Sequence, residues 1–175
     1  MAKEIELRRH TDNDGDVLTA AGVANAVEIG TGLRGGYRLA VASTATRAVQ
    51  TVACFLAGLG ETVSDGAIIE PGLRSSREDE WRDAYSRAGS GDLDSLRQAD
   101  PDLVRDDSAR LANGLRSIFA RLDDGDRALA VGHSPTSEAA VYGLTGETID
   151  PLDKGEGVIV AEADGRYSLV IRLEA

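Results

Sequence analysis

Residues 127–144 read RALAVGHSPTSEAAVYGL: an apolar run from Arg127 to His133 breaks at a Ser-Pro pair, and apolar residues return with helical spacing from Pro135 to Leu144. A run apolar at consecutive positions suits a central strand buried on both faces. Proline is favoured in the first turn of a helix, where its missing N–H is not needed. Strand-then-helix units recur toward the N terminus. Glu4 to His10 alternates Ile5 and Leu7 with charged neighbours and reads as a first strand ending at the histidine. From Leu18 to Ile29 the residues Leu18, Ala21, Ala24 or Val23, Val27 and Ile29 recur with helical spacing, and Gly30 and Gly32 stop the pattern. Tyr37 to Ser43 is a short strand. Thr46 to Leu59 is a helix expected to turn Val49, Val52, Ala53, Leu56 and Leu59 to the core. Ala67 to Ile69 is a brief strand, and Asp102 to Leu122 is a long amphipathic helix. Between them residues 71–100 are polar, with short helical patterns at Glu78 to Arg87 and Leu93 to Ala99, and read as a lid-like excursion.

At the C terminus, Gly157 to Ala163 and Tyr167 to Leu173 flank Asp164-Gly165, a strong hairpin signal. The expected fold is one α/β domain over residues 1–175, a three-layer αβα sandwich with a mainly parallel sheet and an antiparallel C-terminal edge hairpin. In such sheets a site lies at the carboxyl ends of the strands.

Composition narrows the function. A net charge of −11 argues against nucleic acid as a partner, because polyanion binding needs clustered cations. No apolar run reaches the roughly 20 residues that span a bilayer, and Met-Ala-Lys-Glu leads into a strand without an apolar signal segment, so a cytoplasmic protein with no membrane partner is expected. The single Cys54 lies in an apolar helical pattern and reads as a buried, inert thiol. Lys3 and Lys154 are the only lysines, leaving arginine, with its planar fork of donors, as nearly every cation.

The chain has two histidines, His10 and His133, and each stands where an apolar strand gives way to a loop or helix start. Adjacent parallel strands lie about 4.8 Å apart, so the two could reach one small ligand if their strands are neighbours. Arg9 would point away from His10 on a regular strand and converges with it only if the strand breaks there. Arg47 sits in the first turn of its helix, where the dipole disfavours a cation. An anion there would remove the conflict, with Ser43, Thr44 and Thr46 supplying hydroxyls and the helix start its free N–H groups. The loop Asp12-Asn13-Asp14-Gly15-Asp16 is strongly acidic, but an EF-hand begun at Asp12 would need Gly at 17 and an acid at 23, where Val17 and Val23 stand. It reads instead as a solvated turn, or as a contact for a cationic part of a substrate.

These residues resemble a family. Leu7-Arg8-Arg9-His10 is similar to the Arg-His signature of the histidine phosphatase, or phosphoglycerate mutase-like, superfamily. Leu18-Thr19-x-x-Gly22 with Ala26 resembles its first-helix motif, Ser43-x-x-x-Arg47-Ala48-x-Gln50-Thr51 its second-arginine motif, and Val131-Gly132-His133 its second-histidine motif. The four blocks occur in order. The resemblance implies a metal-independent, cofactor-free phosphatase in which His10 attacks phosphorus and forms a phosphohistidine. Arg9, Arg47 and His133 would hold the phosphoryl group, and the Ser134 N–H is a further candidate donor. Thr11 stands where the family usually has Gly after Arg-His, and Ser134-Pro135 where Gly commonly follows the second His. The implied partner is a phosphorylated small molecule or a phosphohistidine protein. Mutases of the superfamily are generally longer and carry an acid-bearing segment with no clear version here, so phosphatase is preferred, with phosphotransferase and non-catalytic phosphate-binding module as alternatives. For the general acid, Glu78 lies in the expected variable segment, with Glu138 as rival and Glu80 as a weaker choice.

Overall fold

A computed structural model describes residues 1–175. In chain order the elements are β1 (Lys3–Arg9), β2 (Asn13–Asp14), β3 (Val17–Leu18), α1 (Ala20–Thr31), β4 (Leu39–Ala42), α2 (Thr46–Leu59) and β5 (Ala67–Ile69). A 3₁₀ turn (Pro71–Leu73) follows, then α3 (Glu78–Ala88), α4 (Leu93–Ala99), α5 (Pro101–Phe119), β6 (Arg127–Gly132), α6 (Thr136–Thr145), β7 (Gly157–Ala163) and β8 (Arg166–Leu173). The sheet runs β5-β4-β6-β1-β7-β8, its first four strands parallel and the C-terminal hairpin antiparallel at one edge, as the αβα reading expects.

Alternation along the strands feeds two cores. Ile5, Leu7, Leu39, Val41, Ala128, Ala130, Val158 and Val160 face α3 to α6, whereas Ala40, Ala42, Leu129 and Val131 face α1 and α2. After Arg127 the residues of β6, 128–132, are buried and apolar on both faces because both faces are covered, which is why they read as a continuous run.

Two expectations about faces are corrected. On α1 the buried positions are Gly22, Ala26, Ile29 and Gly30, while Val23 and Val27 are exposed. The reason is close helix approach: a Cβ on Gly30 would lie 2.4 Å from the Phe55 carbonyl oxygen, and one on Gly58 2.1 Å from that of Val27. Only a ridge of small residues fits there, so the more apolar valines turn outward. On α2 the buried stripe is Ala48, Thr51, Val52 and Phe55; Val49 and Ala53 are exposed and Leu56 and Leu59 only half-buried. Cys54 is also half-buried rather than sealed, and burial raises its pKa.

The excursion over residues 71–100 exists but is not a free lid. Trp81, Ala84, Leu93 and Leu96 enter the larger core. Asp107 on α5, buried, accepts hydrogen bonds from Ser75 Oγ at 2.5 Å and Trp81 Nε1 at 2.7 Å, which fixes α3 to α5.

Candidate active site

The register of β1 and β6 decides the site. Arg9 pairs with Gly132 across the parallel ladder, and the His10 N–H donates to the Gly132 carbonyl at 3.1 Å. His10 and His133 therefore leave neighbouring strands side by side, with ring centroids 5.3 Å apart. Strand adjacency, open in the sequence, is met.

Arg47 joins the two rings. Its Nε donates to His10 Nε2 at 3.3 Å and its Nη2 to His133 Nδ1 at 3.3 Å. Since guanidinium nitrogens only donate, both ring nitrogens facing Arg47 carry lone pairs. The remaining nitrogens bear the protons: His10 Nδ1 donates to the Thr11 carbonyl at 2.8 Å, and His133 Nε2 to Ser43 Oγ at 2.7 Å. Both imidazoles are neutral. Burial, assisted by Arg47, Arg9 and Lys154, pulls the His10 pKa down to about 4, and burial with Arg47 pulls His133 down to about 3.

The other motif positions hold this arrangement. Thr19 Oγ1 caps α1 by accepting from the Gly22 N–H at 3.0 Å, and a Cβ on Gly22 would lie 2.0 Å from the Asp12 carbonyl oxygen. Thr11 Oγ1, where the family's Gly is replaced, donates to the Gly22 carbonyl at 2.8 Å. Gln50 Oε1 accepts from the Leu18 N–H at 2.8 Å, and Thr51 Oγ1 from the Thr11 N–H at 3.3 Å. Together they fasten the β2–β3 hairpin onto α2.

That hairpin supplies a residue the sequence did not flag. Asp16 Oδ1 accepts from Arg47 Nη1 at 2.9 Å, and its Oδ2 from the Thr46 N–H at 3.2 Å. A carboxylate of the chain itself thus meets the start of α2, and the acidic loop, a solvated turn as expected, also supports Arg47 through Asp16. The available signal was Ala45, an N-cap with no side-chain acceptor, which leaves the helix start to an outside anion. Asp12 pairs with Lys154 at 3.0 Å and Thr19 at 2.8 Å, so the loop's carboxylates diverge.

Arg9 leaves β1 at its last residue. Its Nη1 donates to the Leu152 carbonyl at 2.7 Å and its Nε is buried without a partner. Its charge reaches His10, whose pKa it helps lower.

Beside His133 opens a cavity of about 300 Å³ lined by Arg47, Glu78, Trp81, Arg82, Tyr85, His133, Ser134, Pro135 and Thr136; His10 and Arg9 lie behind this wall, not on it. The α3 positions 78, 81, 82 and 85 fall on one helix face. Ser134 lines the cavity, and its N–H makes no hydrogen bond within the chain.

The three acid candidates separate. Glu78 is the one carboxylate on the cavity wall, but it is held by Arg74 at 2.5 and 3.2 Å, which lowers its pKa. Glu80 turns to Arg77 and is absent from the wall. Glu138 is 1% exposed, and burial raises its pKa. Its Oε1 accepts from Ser134 Oγ at 2.5 Å and the Leu152 N–H at 2.8 Å, and its Oε2 has no partner.

Sheet order and site together define an αβα sandwich with paired imidazoles and arginines at the carboxyl ends of its central strands. Scanned against protein-family models the sequence matches none, and no curated protein sequence matches it. Solved structures do share the fold. A phosphoserine phosphatase in complex with 3-phosphoglyceric acid from Entamoeba histolytica superposes with a TM-score of 0.72 at 15% identity, covering 99% of this chain and 98% of that one. A phosphoglycerate mutase from Bacillus anthracis gives 0.65 at 19% identity, covering 97% and 92%. The protein histidine phosphatase SixA complexed with tungstate gives 0.64 at 16% identity, covering 97% and 96%. The chain shares its fold with these two phosphatases and the mutase.

Proposed function

We propose that this chain is a phosphatase acting on phosphate monoesters or phosphohistidine through a covalent phosphohistidine on His10. The observation that carries the reading is the pair of neutral imidazoles bridged by Arg47, with the His10 Nε2 lone pair directed into the group. A buried histidine with its Nδ1 proton fixed on a carbonyl is oriented as a nucleophile. The His10 Nε2 lone pair attacks phosphorus, and the bond from phosphorus to the leaving group breaks. Arg9, Arg47 and the Ser134 N–H hold the phosphoryl oxygens, and His133, protonated as the anion arrives, adds a charge-assisted donor. Once Arg74 is drawn toward the bound phosphate, Glu78 takes up a proton from solvent and passes it to the departing oxygen. Water then cleaves the phosphorus–nitrogen bond, releasing phosphate and restoring His10.

The likeness to phosphoserine phosphatase and SixA supports this class of chemistry, with a phosphorylated small molecule or a phosphohistidine protein as substrate. No helix is long and apolar enough to cross a membrane, and the protein is proposed to act in the cytoplasm. The test is a panel of phosphate esters and phosphohistidine peptides, assayed with EDTA and with vanadate. The wild type should turn over at least one substrate in EDTA, be blocked by vanadate and form an acid-labile phosphoenzyme. His10→Ala should fall below about 1% of that rate with its fold intact; residual turnover above this removes His10 from the nucleophile role.

A further inference from the structure

We infer that Glu138 is a positioning residue for the phosphate site, holding Arg9 through the backbone of Leu152 and the turn after His133 through Ser134. The inference rests on the proposed role of Arg9.

A carboxyl 1% exposed is costly to bury and stays only where its oxygens are used. Glu138 lies in the first turn of α6, but no side-chain hydrogen bond caps that helix. Its Oε1 gathers two donors from different segments, Ser134 Oγ at 2.5 Å and the Leu152 N–H at 2.8 Å. The other side of the Leu152 residue is equally committed, because its carbonyl accepts Arg9 Nη1 at 2.7 Å. One carboxyl oxygen thus reaches Arg9 in two steps and the residue beside His133 in one.

The segment being held needs holding. Residues 146–156, between α6 and β7, form no helix or strand. They are pinned by Glu138, by the Gly155 N–H to the Arg9 carbonyl at 3.2 Å, and by Arg172 on the carbonyls of Asp150 and Pro151, each at 2.8 Å. Leu152 is fully buried, so its peptide has no water to replace a lost partner. Without Glu138 the Leu152 N–H loses its anchor, the backbone around residue 152 is freer to shift, and the carbonyl on its other side no longer offers Arg9 a fixed acceptor. At 1% exposure, with Oε1 occupied by two donors, the Glu138 carboxyl is poorly placed to meet a leaving group. Its action is on geometry, not on the proton.

The experiment is a double-mutant cycle on the full chain, with p-nitrophenyl phosphate turnover and tungstate inhibition as readouts. Glu138→Ala should lower kcat/KM about 10- to 100-fold, the scale of an ångström misplacement, and weaken tungstate by a similar factor. In an Arg9→Ala background the same change should add little, because the group it positions is gone. Glu138→Gln keeps the accepting oxygen and should recover most of the loss. Should Glu138→Ala not fold, Glu138→Asp, which withdraws the carboxyl by one methylene, carries the same cycle. Losses that multiply with those of Arg9→Ala overturn the inference, as does a Gln variant as impaired as the Ala one. If Arg9→Ala itself is unimpaired, the proposed role of Arg9 fails first and the inference with it.

Discussion

In the free protein His133 should be neutral, and binding of a tetrahedral dianion should drive a proton onto it. The His133 Nδ1 lone pair meets Arg47 Nη2 at 3.3 Å, and its pKa is held at about 3. To be mostly protonated at pH 7 in a complex its pKa must rise to about 8, a gain of about 7 kcal/mol. A dianion about 4 Å away, at an effective dielectric constant near 20, offers about 8 kcal/mol. The second quantity exceeds the first, so uptake of close to one proton is expected. Tungstate carries two charges and no proton at pH 7, which makes the count unambiguous. Calorimetric titration at pH 7 in two buffers of different ionisation enthalpy should return about one proton taken up per tungstate bound. With only two histidines in the chain, imidazole NMR reports the same event directly. In the free protein neither ring should titrate with a midpoint above about 5, and with tungstate bound one should. No uptake, or free-protein midpoints near 6.5 for both rings, refutes the reasoning, because the tautomers and burial described above would then be wrong.

Asp16→Asn leaves an acceptor for the Thr46 N–H but removes the charge that competes for Arg47, so tungstate should bind about 2- to 5-fold more tightly, the range of a half-exposed ion pair. Weaker binding would show instead that the pair orients Arg47. Glu78→Gln should slow an alkyl phosphate at least about 10-fold more than p-nitrophenyl phosphate, whose leaving group needs little protonation; equal slowing removes Glu78 from the acid role. Gly22→Ala would place a Cβ 2.0 Å from the Asp12 carbonyl oxygen and should cost about 1–3 kcal/mol, read as a lower thermal midpoint. An unchanged midpoint would mean the α1–hairpin contact is looser than described.

Much of this site could be read from the chain, for identifiable reasons. Ordered motif blocks carry local requirements: Gly22 because Asp12 backbone occupies its Cβ position, Thr19 because α1 needs a cap, and Ser43 because His133 Nε2 needs an acceptor. β6 was visible because, past Arg127, a strand covered on both faces leaves no polar position. Other features were hidden. Hydrophobic periodicity does not give strand order, so the adjacency of β1 and β6 waited for the register between Arg9 and Gly132. It also misjudged α1, where close approach to α2 selected Gly22, Ala26 and Gly30 over the larger Val23 and Val27. Long-range partners leave no local trace: nothing around Asp16 announces Arg47, 31 positions away, and nothing around Glu138 announces Leu152, 14 positions on.

A chain of net charge −11 can still receive an anion because its site is neutralised from within. Arg47 is paired with Asp16, Arg74 with Glu78, and Lys154 with Asp12. On the proposed function, each pair would loosen or tilt when a phosphoryl group enters. A singly charged ligand would only match the carboxylate it displaces, whereas a phosphoryl dianion exceeds it and also draws a proton to His133. Discrimination would then come from charge as much as from shape. Arg9 is the exception, since it faces a carbonyl rather than a carboxylate and keeps a buried Nε without a partner. It is the cation of this group with no carboxylate salt bridge, and its charge falls on His10, helping to keep the lone pair of the proposed nucleophile free of a proton.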